Sequence, residues 1–181
     1  MSDIIFSSIV VDLKNALENK EHPFRYFTLA TSDINYSPRL RTVVLRNVDK
    51  DLTLMIYTDH RSKKVTHILE HEVVSLLFYD PERLLQITMR AKATIVTDPH
   101  TLKTMWSQVP VGSRKSYTSE LAPGQEIKDP DEIDYLDERH FFSAIQIIPE
   151  RIEYLRLKRP NHIRVLFKKN KNNWKGNFIA P

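Results

Sequence analysis

Between residues 40 and 58 the chain runs Leu40-Arg41-Thr42-Val43-Val44-Leu45-Arg46, then Asn47-Val48-Asp49-Lys50 and Asp51, then Leu52-Thr53-Leu54-Met55-Ile56-Tyr57-Thr58. Two segments rich in Val, Ile, Thr and aromatics flank a polar turn, the pattern of paired strands. A parallel crossover takes about a dozen residues or more, so so short a connection predicts an antiparallel hairpin. The same texture recurs on both sides. Upstream lies Phe24–Thr31, closed by Asn35-Tyr36-Ser37-Pro38; downstream lie Val73–Tyr79 and Leu84–Thr97, split by Asp80-Pro81-Glu82. The C-terminal third adds Phe141–Ile148, Ile152–Leu157, Ile163–Lys168 and a last run near Trp174–Ile179, with Lys169-Asn170-Lys171-Asn172-Asn173 as the final turn.

Helical periods interrupt the strands. Phe6, Ile9, Val10, Leu13, Ala16 and Leu17 form one apolar stripe that predicts an amphipathic helix with Asp12, Lys14, Asn15 and Glu18 outside. A short helix is predicted from Ser62 to Glu70. Another starts at Asp98-Pro99, a cap followed by proline at the first position, and carries Leu102, Met105 and Trp106 on a core-facing side. Val111–Asp137 is polar, contains Pro123-Gly124 and Asp129-Pro130, and is predicted as a long loop. Antiparallel strands in this number close up to remove exposed edges, so the fold class expected is mainly β within α+β: an antiparallel barrel with flanking helices, in one domain over residues 1–181.

Composition narrows the chemistry. The chain has no cysteine, which removes disulfides, thiolate metal sites and a Cys nucleophile, and fits a reducing, cytoplasmic setting. It contains no run of about 18 apolar residues that would span a membrane. Its three glycines, Gly112, Gly124 and Gly176, cannot build a phosphate-cradling loop. A formal net charge of +4 suggests anionic ligands without demanding nucleic acid.

The placement of that charge is more telling. Arg61, Lys63 and Lys64 surround Ser62 at the start of a helix, where the backbone already contributes about half a positive charge. Basic residues there favour a bound anion, because the free N–H groups form a phosphate site. Strand alternation puts Arg39 and Arg41 on the same face as Val43 and Leu45, and an Arg on an apolar face needs a partner. Tyr57-Thr58 ends the next strand just before the basic turn.

Taken in order, Arg41-Thr42-Val43-Val44-Leu45-Arg46, Tyr57-Thr58, Ser62-Lys63-Lys64 and Gln86 resemble the pyridoxamine 5′-phosphate oxidase-like family of FMN-binding split barrels. Ile152-Glu153-Tyr154, Arg164-Val165-Leu166-Phe167 and Trp174-Lys175 continue the likeness. The resemblance implies a Greek-key split barrel and FMN as cofactor. It further implies a homodimer with FMN sites between subunits, and oxidoreductase activity by hydride transfer to flavin N5. Residue by residue, it implies that Arg41, Lys63 and Lys64, beside Ser62, hold the phosphate. Thr42, Val43, Val44 and Leu45 would run along the flavin, with Arg46, Tyr57 and Thr58 near it. Gln86 would reach it from a later strand, and Arg164 would reach it across the dimer interface. No protein acid or base is strictly required for the hydride step, so no catalytic residue is assigned.

The substrate side departs from the family pattern. An Arg-x-His pair of the oxidase corresponds here to Pro160-Asn161-His162, a Trp position corresponds to Leu155, and a Tyr and an Arg that clamp substrate phosphate fall near Met105 and Val109. Arg46, Ser113 and His162 remain as candidate substrate contacts. The resemblance therefore implies a relative with an intact flavin site and an altered substrate site, using FMN or another flavin such as a deazaflavin, or a flavin-binding protein without turnover and without pyridoxamine phosphate oxidase activity.

Two other readings compete. His67-Ile68-Leu69-Glu70-His71 has the spacing of an H-x-x-E-H zinc site, but the predicted helix is too short to form one. No metal site is expected, nor any calcium site in the acidic Asp129–Glu138 stretch. The basic C-terminal third, with Tyr154, Phe167 and Trp174 interleaved, could bind single-stranded nucleic acid. On alternating strands, those aromatics are better placed as core.

Overall fold

The computed structural model describes residues 1–171 and 173–181; Asn172, expected in the last turn, lies outside the described residues. Helix α1 (Ser2–Glu18) is followed by strands β1 (Tyr26–Ser32), β2 (Pro38–Val44), β3 (Asn47–Val48) and β4 (Leu54–Asp59). Then come α2 (Lys63–Glu70), β5 (Val73–Asp80), β6 (Leu85–Ile95) and α3 (Pro99–Ser107). The last three strands are β7 (Phe142–Arg156), β8 (Ile163–Asn170) and β9 (Asn173–Phe178). Neighbouring strands pair antiparallel in the order β2-β1-β5-β6-β7-β4-β3, with β8 and β9 continuing from β7. No described helix is long and apolar enough to cross a membrane.

The two ends of that order are one piece of chain. The Leu45 amide donates to the Arg25 carbonyl, extending the β1 ladder, and the Arg46 amide donates to the Met55 carbonyl, opening the β4 ladder. The strand thus changes partners between adjacent residues and closes the barrel. Past that crossing β2 and β4 diverge and share no ladder, leaving the split.

Two expectations about strand ends are corrected. The turn placed at Asn47–Lys50 lies further on, because Asn47 and Val48 pair with Met55 and Leu54. Asp49 Oδ1 accepts the amides of Asp51 and Thr53, and Leu52 takes a positive φ of 62°. The runs Phe141–Ile148 and Ile152–Leu157 form one strand, β7. Its first half pairs with β4 and its second half with β8, while β6 lines the other edge. Pro149 and Glu150 look like a break in sequence, but they sit at a register shift opposite Arg90 and Ala91, where a bulge absorbs a residue.

The core is the inner face of this barrel, with Leu45, Leu54, Ile56, Ile87, Ile145 and Ile152 fully buried. Truncating one of these to Ala would cost about 2–5 kcal/mol. Helix α1 buries Ile9, Leu13 and Ala16 against it, and the Phe6 ring packs tilted against Phe167. Asp12 does not lie outside as expected. It is buried, and its carboxylate receives Arg83 Nη1 at 2.9 and 3.0 Å. Arg83 is itself held by Asp80, whose Oδ1 also accepts the amides of Glu82 and Arg83 at the β5–β6 turn. Gly176 faces Phe167 across β8–β9, and a Cβ there would run into the Phe167 ring. Tyr154 and Phe167 are core residues, and Trp174 packs against Phe6, so these three aromatics are not offered to a nucleic acid.

Candidate functional site

The split between β2 and β4 is the candidate site. Its walls are Arg41, Thr42, Val43, Val44 and Arg46 on one side and Tyr57, Thr58 and Asp59 on the other, enclosing about 300 Å³. Because neither edge pairs there, main-chain polar groups face the opening and can bind a ligand. At one end it joins a smaller hollow formed by Arg39, Arg41, Ser62, Lys63 and Lys64. At the other end the Arg46 guanidinium lies 5.6 Å from the centre of the Tyr57 ring.

The basic end has the electrostatics of an anion site. Ser62 precedes α2 but does not cap it; its hydroxyl instead meets Thr58 Oγ1 at 3.1 Å and Lys64 Nζ at 3.2 Å. Lys64 Nζ also donates to Thr58 Oγ1 at 2.8 Å. Burial and the nearby Arg41 charge, only partly offset by Asp59, push the Lys64 ammonium down to about 8. Burial and Arg39 lower Arg41 in the same way. Among the described residues no carboxylate forms an ion pair with Arg39, Arg41, Lys63 or Lys64. Cations held in a hollow without a paired carboxylate stabilise whatever anion enters it.

Arg61, read in sequence as part of this cluster, is turned away from it. Its guanidinium bonds Asp59 at 2.7 Å and donates to the carbonyls of Ser119, Glu120 and Leu121. That strap brings the loop carrying Pro123 and Gly124 over the basic hollow. Ser116, Tyr117 and Pro123 also line the cleft, and the sequence reading named none of them for the site. The only advance signal was the length and polarity of the 111–137 stretch. Burial raises the Tyr57 and Tyr117 hydroxyls above the usual phenol range, against the pull of Arg46.

Beneath the cleft an apolar cluster of Val109, Tyr117 and Phe142 packs with Tyr57, Leu102, Met105 and Trp106. Met105 and Val109, which the resemblance sets at a phosphate clamp, are therefore structural here. Ser113 lies in a 3-10 turn and lines neither the cleft nor the basic hollow. The His162 ring accepts the Lys158 amide in the exposed loop after β7.

The remaining candidates sit elsewhere on the chain. Gln86 pairs with Leu155, and Leu155 with Arg164, forming one row across β6, β7 and β8. Their neighbours Leu85, Ile87, Tyr154 and Val165 are buried, so by alternation this row faces away from the core. Arg164 is paired there with Glu153 at 2.9 Å. Beside it is a groove of about 390 Å³, lined by Thr28, Ala30, Leu40, Ser75, Thr88 and Glu153 among others. The H-x-x-E-H pattern forms no metal centre. His67 turns toward Thr31 and His71 stacks on Tyr36, and among the described residues no group of three ligating side chains converges.

Known proteins match this chain in part of its sequence and in its fold. Residues 8–97 match the family model for the pyridoxamine 5′-phosphate oxidase FMN-binding domain. A pyridoxine/pyridoxamine 5′-phosphate oxidase of Paraburkholderia phymatum is 34% identical over 88 residues, which cover 48% of this chain and 40% of that protein. The match therefore spans less than half of that oxidase. A pyridoxamine 5′-phosphate oxidase-related FMN-binding protein from Nostoc punctiforme superposes with a TM-score of 0.78 at 24% identity over 96% of both chains. PhzG from Burkholderia lata, solved with tetrahydrophenazine-1-carboxylic acid, also gives 0.78, at 18% identity over 97% of this chain and 92% of its own. At those identities the two structures establish the split-barrel fold.

Proposed function

The chain belongs, through residues 8–97, to the FMN-binding domain family of pyridoxamine 5′-phosphate oxidase, and from that premise we propose that it is an FMN-dependent oxidoreductase acting on a small substrate. FMN is the cofactor of that domain. The observation that carries the reading is the hollow of four cations without a carboxylate partner at the mouth of a helix. A phosphate monoester fits it: about −1.5 to −2 charges near pH 7 and three acceptor oxygens meet Arg, Lys and hydroxyl donors. Arg41, Lys63 and Lys64 would hold the phosphate together with Ser62. Thr42, Val43, Val44 and Leu45 would present the strand edge to the ring, flanked by Arg46, Tyr57 and Thr58. When bound, FMN supplies a two-electron acceptor that takes up a hydride at N5. The chain's part is to anchor, orient and shield it.

Gln86 and Arg164 lie on the sheet face away from the core, in a different set of residues from those lining the cleft. Both sets can serve one flavin if a second copy brings its row to the cleft. The functional unit proposed is a homodimer, joined over the groove beside Leu40 and Glu153, with one domain per chain over residues 1–181. The substrate proposed is not pyridoxamine phosphate. Proline stands at residue 160, and Met105 and Val109 belong to an apolar cluster. Arg46, Ser113 and His162 are left as its candidate contacts. A cysteine-free chain suits the reducing cytoplasm, where we place the protein.

The test is the visible spectrum after FMN is added and unbound flavin removed. About one FMN retained per chain is expected, with slow or no bleaching by pyridoxamine phosphate. A protein that retains no flavin overturns the reading.

A further inference from the structure

The basic hollow has a buried support behind it. Thr31 on β1 and His67 on α2 are 3% and 7% exposed. Arg41 Nη1 donates to Thr31 Oγ1 at 2.7 Å and to the Leu29 carbonyl at 3.1 Å. Thr31 Oγ1 in turn lies 3.0 Å from His67 Nδ1.

The proton positions follow from the donor inventory. A guanidinium only donates, so the Thr31 oxygen accepts from Arg41. The Thr31 hydroxyl then has its own proton to place, and the acceptor within reach is the His67 Nδ1 lone pair. A proton on Nδ1 would aim two donors at one oxygen and strand the buried Thr31 O–H without an acceptor. In that arrangement His67 Nδ1 is the acceptor and the ring carries its proton on Nε2.

We propose that Thr31 and His67 are positioning residues for Arg41. The chain of bonds ties up Nη1 and leaves Nε and Nη2 for an anion, so the guanidinium is ordered before the ligand arrives. Ordering a long, rotamer-rich side chain in advance removes part of the cost of binding. A His67 ring that accepts at Nδ1 also spares the hollow a fifth cation beside Arg39, Arg41, Lys63 and Lys64. The proposal rests on the FMN reading and extends it to two residues outside the cleft lining. It also accounts for the H-x-x-E-H pattern, whose first histidine is used inside the protein.

Two measurements test it. In the full-length protein labelled with ¹⁵N at histidine, His67 Nδ1 should resonate as an unprotonated ring nitrogen at neutral pH; a protonated Nδ1 overturns the relay. Affinities for FMN and riboflavin, which lacks the phosphate, are then compared in Thr31→Val and His67→Leu. FMN binding should weaken about 10-fold, the effect of one hydrogen bond to a charged group, with riboflavin binding within about twofold of wild type. Thr31→Ser and His67→Asn keep a hydroxyl and an acceptor and should restore FMN binding. Equal losses for both flavins, or unchanged FMN affinity, overturn the positioning role. A wild-type protein that binds neither flavin overturns the FMN reading itself, and that outcome is visible before any variant is made.

Discussion

Asp59 holds the guanidinium of Arg61, two residues further on, at 2.7 Å and aims it at the carbonyls of Ser119, Glu120 and Leu121. Arg61 also lies 3.2 Å from the centre of the Phe141 ring. One cation thus fastens the 119–124 loop over the mouth of the cleft. Asp59→Asn or Arg61→Met should release that loop. Limited proteolysis would show faster cleavage near Ser119–Gly124, at a melting temperature lowered by only a few degrees. Equal protection in variant and wild type would show that the strap holds nothing.

Arg41→Ala or Lys64→Ala should each weaken FMN binding by about 1.5–3 kcal/mol, the range for a hydrogen bond to a charged group. Quenching of flavin fluorescence on titration reads the change directly. Unchanged affinity would remove the substituted residue from the phosphate site.

Lys64 gives pH effects of opposite sign on stability and on binding. Its folded-state value of about 8 is below that of an unfolded lysine, so above pH 8 the unfolded chain binds more protons. The flavin-free protein should therefore gain stability as pH rises from about 8 toward about 10.4. Over the same window FMN affinity should fall, because the cation proposed to meet the phosphate is being lost. Lys64→Arg should flatten both curves, since arginine stays charged. Denaturation midpoints and FMN titrations across that range check the two signs together.

The Asp12–Arg83 pair fastens α1 to the β5–β6 turn. Asp12 is largely buried while Arg83 is about one-third exposed, so the pair lies between surface and core cases. Asp12→Asn should cost about 1–2 kcal/mol in chemical denaturation. Asp80, held low by bonds from Arg83 and Glu82 in spite of burial, adds an acid limit. Its contribution is complete above the unfolded carboxylate value of about 3.9 and fades as pH drops through the lower folded one. Asp80→Asn should remove that part of the acid transition.

Leu40 is 65% exposed on the face proposed to meet a second copy. Leu40→Glu should shift the protein from twice the chain mass to the chain mass in light scattering, and lower FMN retention at the same time. A wild-type monomer that retains FMN would remove the dimer from the proposal.

Strand texture and hairpin spacing made most of the barrel legible in sequence, because period-two alternation and turn chemistry are local. The continuity of β7 is not legible in sequence, since Pro149-Glu150 looks the same whether it ends a strand or bulges one. Asp12 reads as an outer residue in sequence because its partner Arg83 lies far along the chain. The basic end of the cleft was legible for the opposite reason: Arg41, Thr58 and Lys64 are close in sequence and their spacing survives folding. The contributions of Tyr117 and Pro123, the direction of Arg61 and the Thr31–His67 contact depend on distant chain meeting in space. No local pattern encodes them.

The change of partners at Leu45 and Arg46 has a mechanical consequence. The segment that zips the cylinder shut is also the one proposed to carry the cofactor, so a molecule bound along it would act as a clasp across the join. Amide exchange at Leu45 and Arg46 should then report on occupancy and on global opening together, and a substitution in residues 41–46 is felt by both.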